Sequence, residues 1–187
     1  DAPMRLTASG VGDLLGKYTA LADWKITNIL DGEYICDRIC EMEYDALDKL
    51  KESLDGLSNR DINAYEELMY GLLLSGLAMQ MTGHSRPASG AEHHMAHFWE
   101  MAVINETDLI EKTFTNKELC ESIKKTNDPN LLDLIDPKVL REKTEEIIRI
   151  IEEIPKADEI VAMLEKVHGV KSLEDIGFTP DMKEKTA

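Results

Sequence analysis

The chain has 187 residues, 37 acidic and 21 basic, with a formal net charge of −16. That length allows one substantial core, and the charge argues against a nucleic-acid face or adhesion to an anionic membrane. The three cysteines, Cys36, Cys40 and Cys120, form no disulfide framework and suit a reducing cytoplasm.

The start, Asp1-Ala2-Pro3, has neither the basic nor the apolar region of a signal peptide. Apolar residues at three and four spacings predict a helix over Val11 to Leu30, broken by Gly32. The period resumes from Tyr34 to Leu54, where Gly56 is expected to end it and Ser58 and Asn59 to prepare the next helix. Cys36 and Cys40 lie one turn apart there and read as small buried groups rather than a metal pair. Asp61 to Met81 is apolar nearly all round, which predicts a buried helix at the domain centre, Leu73 and Leu77 included. Gly71, Ser75, Gly76 and Ala78 in it would let neighbouring helices approach closely. Gly83 to Gly90 is a loop, followed by a helix with His93, His94, His97, Phe98 and Trp99. Asn127, Asp128 and Pro129 mark a turn. Asp136 before Pro137 is an N-cap, Ser172 with Asp175 a variant of the capping box, and Thr179-Pro180 opens a last short helix. No alternating β-branched run appears. The expected fold is a single all-α, multi-helix domain over residues 1–187.

The chemistry gathers in "SRPASGAEHHMAHFWE", Ser85 to Glu100. His93 and His97 are four apart and project from one helix face, a spacing that suits a metal or a small anion. The loop before them offers backbone N–H groups at a positive helix end, and Arg86 adds a charge, so anions are favoured there. A structural histidine cluster is the alternative. Zinc needs at least three protein ligands, and Asp13, flanked by Gly10 and Gly12 in "ASGVGDLLGK", is the best distant candidate. Helix capping is the other explanation of Asp13.

"ASGVGDLLGKYTALADWKI" and "SGLAMQMTGHSRPASGAEHHMAHFWE" resemble the metal-binding half of glycerol-1-phosphate dehydrogenases, within the superfamily of glycerol dehydrogenases and iron-containing alcohol dehydrogenases. The similarity runs from Pro3 to about Met101 and returns more weakly from Val139 to Gly177. The resemblance implies a dinucleotide-binding domain, absent from this chain, and an all-helical domain, with the active site between them. It implies a divalent metal (zinc, with nickel or iron also compatible) and NAD or NADP. Asp13 matches the family's aspartate ligand, which also touches substrate. His93 matches the first histidine ligand, and His97 a substrate-contacting histidine with a catalytic role.

Two departures accompany the match. The family's nucleotide domain is not in this sequence. Its other histidine ligand, about four turns past His93, has no counterpart in "HFWEMAVINETDLIEKTF", where the likeness fails between Asn105 and Glu111. His168 does not match that ligand.

The implied reaction interconverts dihydroxyacetone phosphate and sn-glycerol 1-phosphate in a cytoplasmic enzyme, with a homo-oligomer as its possible assembly. From chemistry alone, Arg86 with Ser85 and Ser89 is assigned to the substrate phosphate, because guanidinium offers a planar fork of donors. The chain by itself is expected to be inactive. The alternatives are a glycerol dehydrogenase acting on unphosphorylated polyol, which Arg86 and "SRPASG" oppose, and a non-catalytic helical remnant used for assembly.

Overall fold

The computed structural model describes residues 3–93, 135–172 and 174–176. Among them every regular element is helical, as expected: α1 (Met4–Leu15), α2 (Lys17–Asp31), α3 (Asp37–Ser58), α4 (Ile62–Thr82), α5 (Pro137–Glu152), α6 (Ala157–Lys166) and a 3-10 turn at Glu174–Ile176. His94, His97, Cys120, the Asn127-Asp128-Pro129 turn and Thr179-Pro180 lie outside the described residues.

The helix expected from Val11 begins earlier, at Met4, and is divided at Gly16. The division is slight. Gly16 keeps right-handed helical dihedrals (φ −58°, ψ −19°), and its N–H bonds to the Gly12 carbonyl while its own carbonyl accepts from Ala20. α1 and α2 therefore form one nearly continuous rod. It ends at Gly32, whose φ of +79° lies where a side chain would be strained.

The core forms where that rod meets α3. Val11, Leu14, Leu21 and Trp24 from the rod, with Leu47 and Leu57 from α3, are almost completely buried. Trp24 satisfies its indole N–H on the Tyr34 carbonyl at 2.8 Å, so the largest core side chain leaves no orphan donor.

Two expectations about α3 and α4 are corrected. Gly56 does not end α3, which runs to Ser58. A Cβ at Gly56 would stand 2.7 Å from that of Ala64, so the glycine lets α4 fold back closely on α3. The N-cap of α4 is Asp61, whose carboxylate accepts from the Asn63 N–H at 3.0 Å, rather than Ser58 or Asn59. The larger correction concerns burial. α4 packs most extensively on α3, and also on α1, but with its small face: Ala64, Leu68, Gly71, Ser75 and Ala78 are buried. A Cβ on Gly71 would meet Leu14 at 2.9 Å, whereas Gly76 faces open space. Leu73 is 68 % exposed and Leu77 48 %. Among the described residues α4 is thus a flank of the domain and not its centre. Its sequence is apolar on both faces, and only the face with small side chains allows close helix approach.

Asp136 caps α5 by accepting from the Lys138 N–H at 2.8 Å. Ser172 and Asp175 exchange reciprocal hydrogen bonds, 3.1 and 3.2 Å, as a capping box does. α5 packs on α2, and α6 on α1 and α3. No helix among the described residues is long and apolar enough to cross a membrane.

Candidate functional site

Asp13 projects from the last turn of α1, with its side chain 56 % exposed. It is not at a helix start, so the capping explanation does not apply. Its Oδ2 accepts from Lys17 Nζ at 3.2 Å, one turn on, and the lysine side chain is buried. Among the described residues nothing hydrogen-bonds to Oδ1. Lys17 faces inward toward Glu43, a fully buried α3 carboxylate. Burial is the main reason the Glu43 pKa rises to about 7. The Lys17 charge and the nearby Ser75 hydroxyl pull it down, and the Asp13 charge pushes it up.

The segment before His93 is built against α2. Thr82 donates its hydroxyl hydrogen bond toward the end of α4 and the His84 carbonyl. The His84 ring meets Trp24 edge-on, with centroids 5.5 Å apart. The Ser85 carbonyl accepts from the Ala88 and Ser89 N–H groups, closing a turn, and Pro87 is buried inside it. At Gly90 the chain touches α2 directly: a Cβ there would lie 2.9 Å from the Ala20 Cα. Only glycine permits that approach. The next residues, 91–93, are helical.

The sequence-based expectation was that the N–H groups of this turn and Arg86 would receive an anion. The structure gives them partners from the protein itself. The Ala91 N–H donates to Asp23 Oδ2 at 3.2 Å, and the Gly90 N–H to Glu92 Oε1 at 2.9 Å. Arg86 donates from Nε to Glu33, from Nη1 to Asp23 at 2.7 Å, and from Nη2 to Glu33 at 2.7 Å and to Thr27 at 2.6 Å. Burial disfavours its charge, but the hydrogen bonds to Glu33 and the charges of Asp23 and Glu33 outweigh that and hold its pKa up. A phosphate here would meet three carboxylates, Asp23, Glu33 and Glu92. Arg86, expected at the substrate phosphate, is here engaged by Asp23, Glu33 and Thr27.

Asp23, Thr27 and Glu33 were missed because no local signal marks them. They meet Arg86 across 53 to 63 residues of chain.

The rod joins the two candidate ligands. Asp13 and Ala20 are seven residues apart, hence on nearly the same helix face, separated by about 10 Å along the axis. The turn that leads into His93 docks at Ala20 and Asp23. Carboxylate oxygen and imidazole nitrogen together suit a borderline divalent ion, so the donor types fit a metal as far as two ligands go. Among the described residues no group of three such side chains converges.

No family model matches the chain. It is 31 % identical over 199 residues to a glycerol-1-phosphate dehydrogenase [NAD(P)+] of Halalkalibacterium halodurans, covering 98 % of this chain and 48 % of that protein. The corresponding protein of Bacillus licheniformis is 34 % identical over 182 residues, covering 97 % and 45 %. A glycerol-1-phosphate dehydrogenase of Sulfolobus acidocaldarius is 42 % identical over a shorter stretch of 107 residues, 56 % of this chain. The chain spans about half the length of the curated relatives it matches along nearly its whole extent, and these homologues are glycerol-1-phosphate dehydrogenases.

Proposed function

We propose that this chain is the helical, metal- and substrate-binding part of a cytoplasmic NAD(P)-linked oxidoreductase interconverting dihydroxyacetone phosphate and sn-glycerol 1-phosphate. The observation that carries the proposal is similarity to enzymes of that name along 97–98 % of the chain. The docking of the His93 turn onto the rod that bears Asp13 supports it. The uncommitted thiols of Cys36 and Cys40 are in keeping with a cytoplasmic setting.

Asp13 and His93 would hold a divalent ion, zinc first by ligand type. A bound divalent ion supplies Lewis acidity, polarising a carbonyl or favouring the alkoxide form of a hydroxyl near neutral pH. His97 is assigned to orient the C2 oxygen or to relay its proton, work for which an imidazole is suited near pH 7. Asp13 also contacts substrate, through the oxygen that Lys17 leaves open. Ser89, half-buried in the turn, is the remaining candidate for contact with the phosphate. No residue here is assigned to the dinucleotide. A homo-oligomer is the proposed assembly.

Direct titration with zinc tests the ligand assignment. With two protein ligands and water in the open positions, wild type binds zinc weakly; His93→Ala loses that binding, and His97→Ala keeps it. Retention by His93→Ala with loss by His97→Ala would reverse the pair. Calorimetric titration of the zinc-loaded chain tests the substrate class. Dihydroxyacetone phosphate should bind more tightly than dihydroxyacetone, and the opposite order would indicate a dehydrogenase of unphosphorylated polyols.

A further inference from the structure

We infer that Arg86 is a positioning residue: through Asp23 it fixes the first helical turn bearing His93 against α2, and so sets where that imidazole stands relative to Asp13. The inference rests on the proposed role of Asp13 and His93 in metal binding.

The geometry is a chain of contacts. Gly32 turns the backbone at the end of α2 with φ +79°. The chain after it is held by Asn28, whose side-chain amide donates to the Glu33 carbonyl at 2.6 Å, and by Asp31, whose carboxylate accepts from the Glu33 N–H at 2.8 Å. Glu33 is thereby returned to the side of α2 that carries Asp23 and Thr27, one turn apart. Thr27 is oriented in turn, since its hydroxyl donates to the Asp23 carbonyl at 2.8 Å and accepts from Arg86. The guanidinium fills the space between these groups. Its side chain is 24 % exposed, and Asp23 and Glu33 are 32 % and 30 % exposed, so solvent screens the cluster only in part.

Asp23 links the guanidinium to the turn. The same oxygen, Oδ2, accepts from Arg86 Nη1 and from the Ala91 N–H, and it lies 3.1 Å from where a Gly90 side chain would begin. One carboxylate oxygen thus connects the guanidinium to the backbone two residues before His93. Asp23 without Arg86 would be a half-buried carboxylate beside Glu33 and Glu92, free to turn toward solvent and release Ala91. Residues that hold a ligand in place commonly alter metal affinity roughly tenfold to a hundredfold when removed. Lysine cannot replace this arginine, because one ammonium cannot span two carboxylates and a hydroxyl in a fixed plane.

The test uses the full 187-residue chain as wild type, Arg86→Ala, Arg86→Lys and the milder Glu33→Gln, with amide hydrogen exchange across 84–93 and titration with Co2+ followed by its visible absorption. In Arg86→Ala the Ala91 amide should exchange at least roughly tenfold faster while amides of α3 keep their rates. Co2+ affinity should fall by the same order or more, with a changed absorption envelope that loss of global stability alone would not produce. Arg86→Lys should not restore either property, and Glu33→Gln should show both effects in weaker form. Unchanged Ala91 exchange and Co2+ spectra in Arg86→Ala would overturn the inference. If that variant fails to fold, the same null result in Glu33→Gln overturns it. A wild type that binds no Co2+, yet whose Ala91 exchange responds to Arg86→Ala, would defeat the metal assignment and leave Arg86 as the group that fixes this turn. Co2+ binding that is equal in all four proteins would do the reverse.

Discussion

Glu43 sits on the buried face of α3 with no surface exposed, and neither carboxylate oxygen has a hydrogen-bond partner of good geometry. Its pKa, raised mainly by burial from 4.5 to about 7, has a consequence of definite sign. The folded state binds this proton more tightly than the unfolded state. The contribution to stability is complete below about pH 4.5 and is lost as pH rises through 7. The gap corresponds to on the order of 3 kcal/mol. Glu43→Gln should therefore flatten the decline in urea-derived stability between pH 5 and pH 8, leaving the variant about 2 kcal/mol more stable than wild type at pH 8 and nearly equal at pH 5. Parallel pH profiles for the two proteins would show that the carboxylate is not held this way. The position was legible in retrospect. Ile39, Glu43, Leu47, Leu50 and Leu54 follow one stripe and are all buried, but a stripe chosen by residue type takes Met42 instead. Asp13 was legible through its flanking glycines and the family resemblance, and Lys17, four residues on, completes an ion pair that helix spacing allows. The clamp around Arg86 was not, because helix geometry relates near neighbours only and its partners are brought together by the tertiary fold.

At the scale of elements, α5 packs on α2 and is also joined to α3 through one carboxylate. Glu153, just past its end, accepts from Lys25 Nζ at 2.6 Å and from the Tyr44 hydroxyl at 3.0 Å, joining α2, α3 and α5. Partial burial raises the Glu153 pKa, and the hydrogen bonds from Lys25 and Tyr44 outweigh that and lower it. Its stabilisation is present above the usual carboxylate range and is lost as pH falls through the lowered value. Glu153→Gln should cost about 1 kcal/mol at pH 7, and less at pH 3. Chemical denaturation at the two pH values checks this, and a larger loss at pH 3 would refute it. Starts and stops set by local chemistry, such as Gly32, Asp136 and the Ser172–Asp175 pair, were readable from sequence. Gly56 was not, since a glycine that ends a helix and one that admits a neighbouring helix look alike until the neighbour is in place.

For the molecule as a whole, periodicity disclosed the all-α class but not which apolar helix lies at the centre. α4 has no polar face, so its sequence could not distinguish a buried helix from one packed through its small side. Met69, Leu73, Leu77 and Met81 recur every fourth residue along its outer side, and all are exposed. Leu73→Lys with Leu77→Lys should thus leave the urea midpoint nearly unchanged, within about 0.5 kcal/mol in stability, while reducing binding of the dye ANS. A loss above about 2 kcal/mol would mean that this side is covered in solution. The same ridge bears on how long the protein survives in a cell. Exposed apolar rows engage chaperones and proteases, so turnover depends on such a surface as well as on folding free energy. The two lysines should then raise the steady-state level of the chain in living cells even though its unfolding curve has not moved.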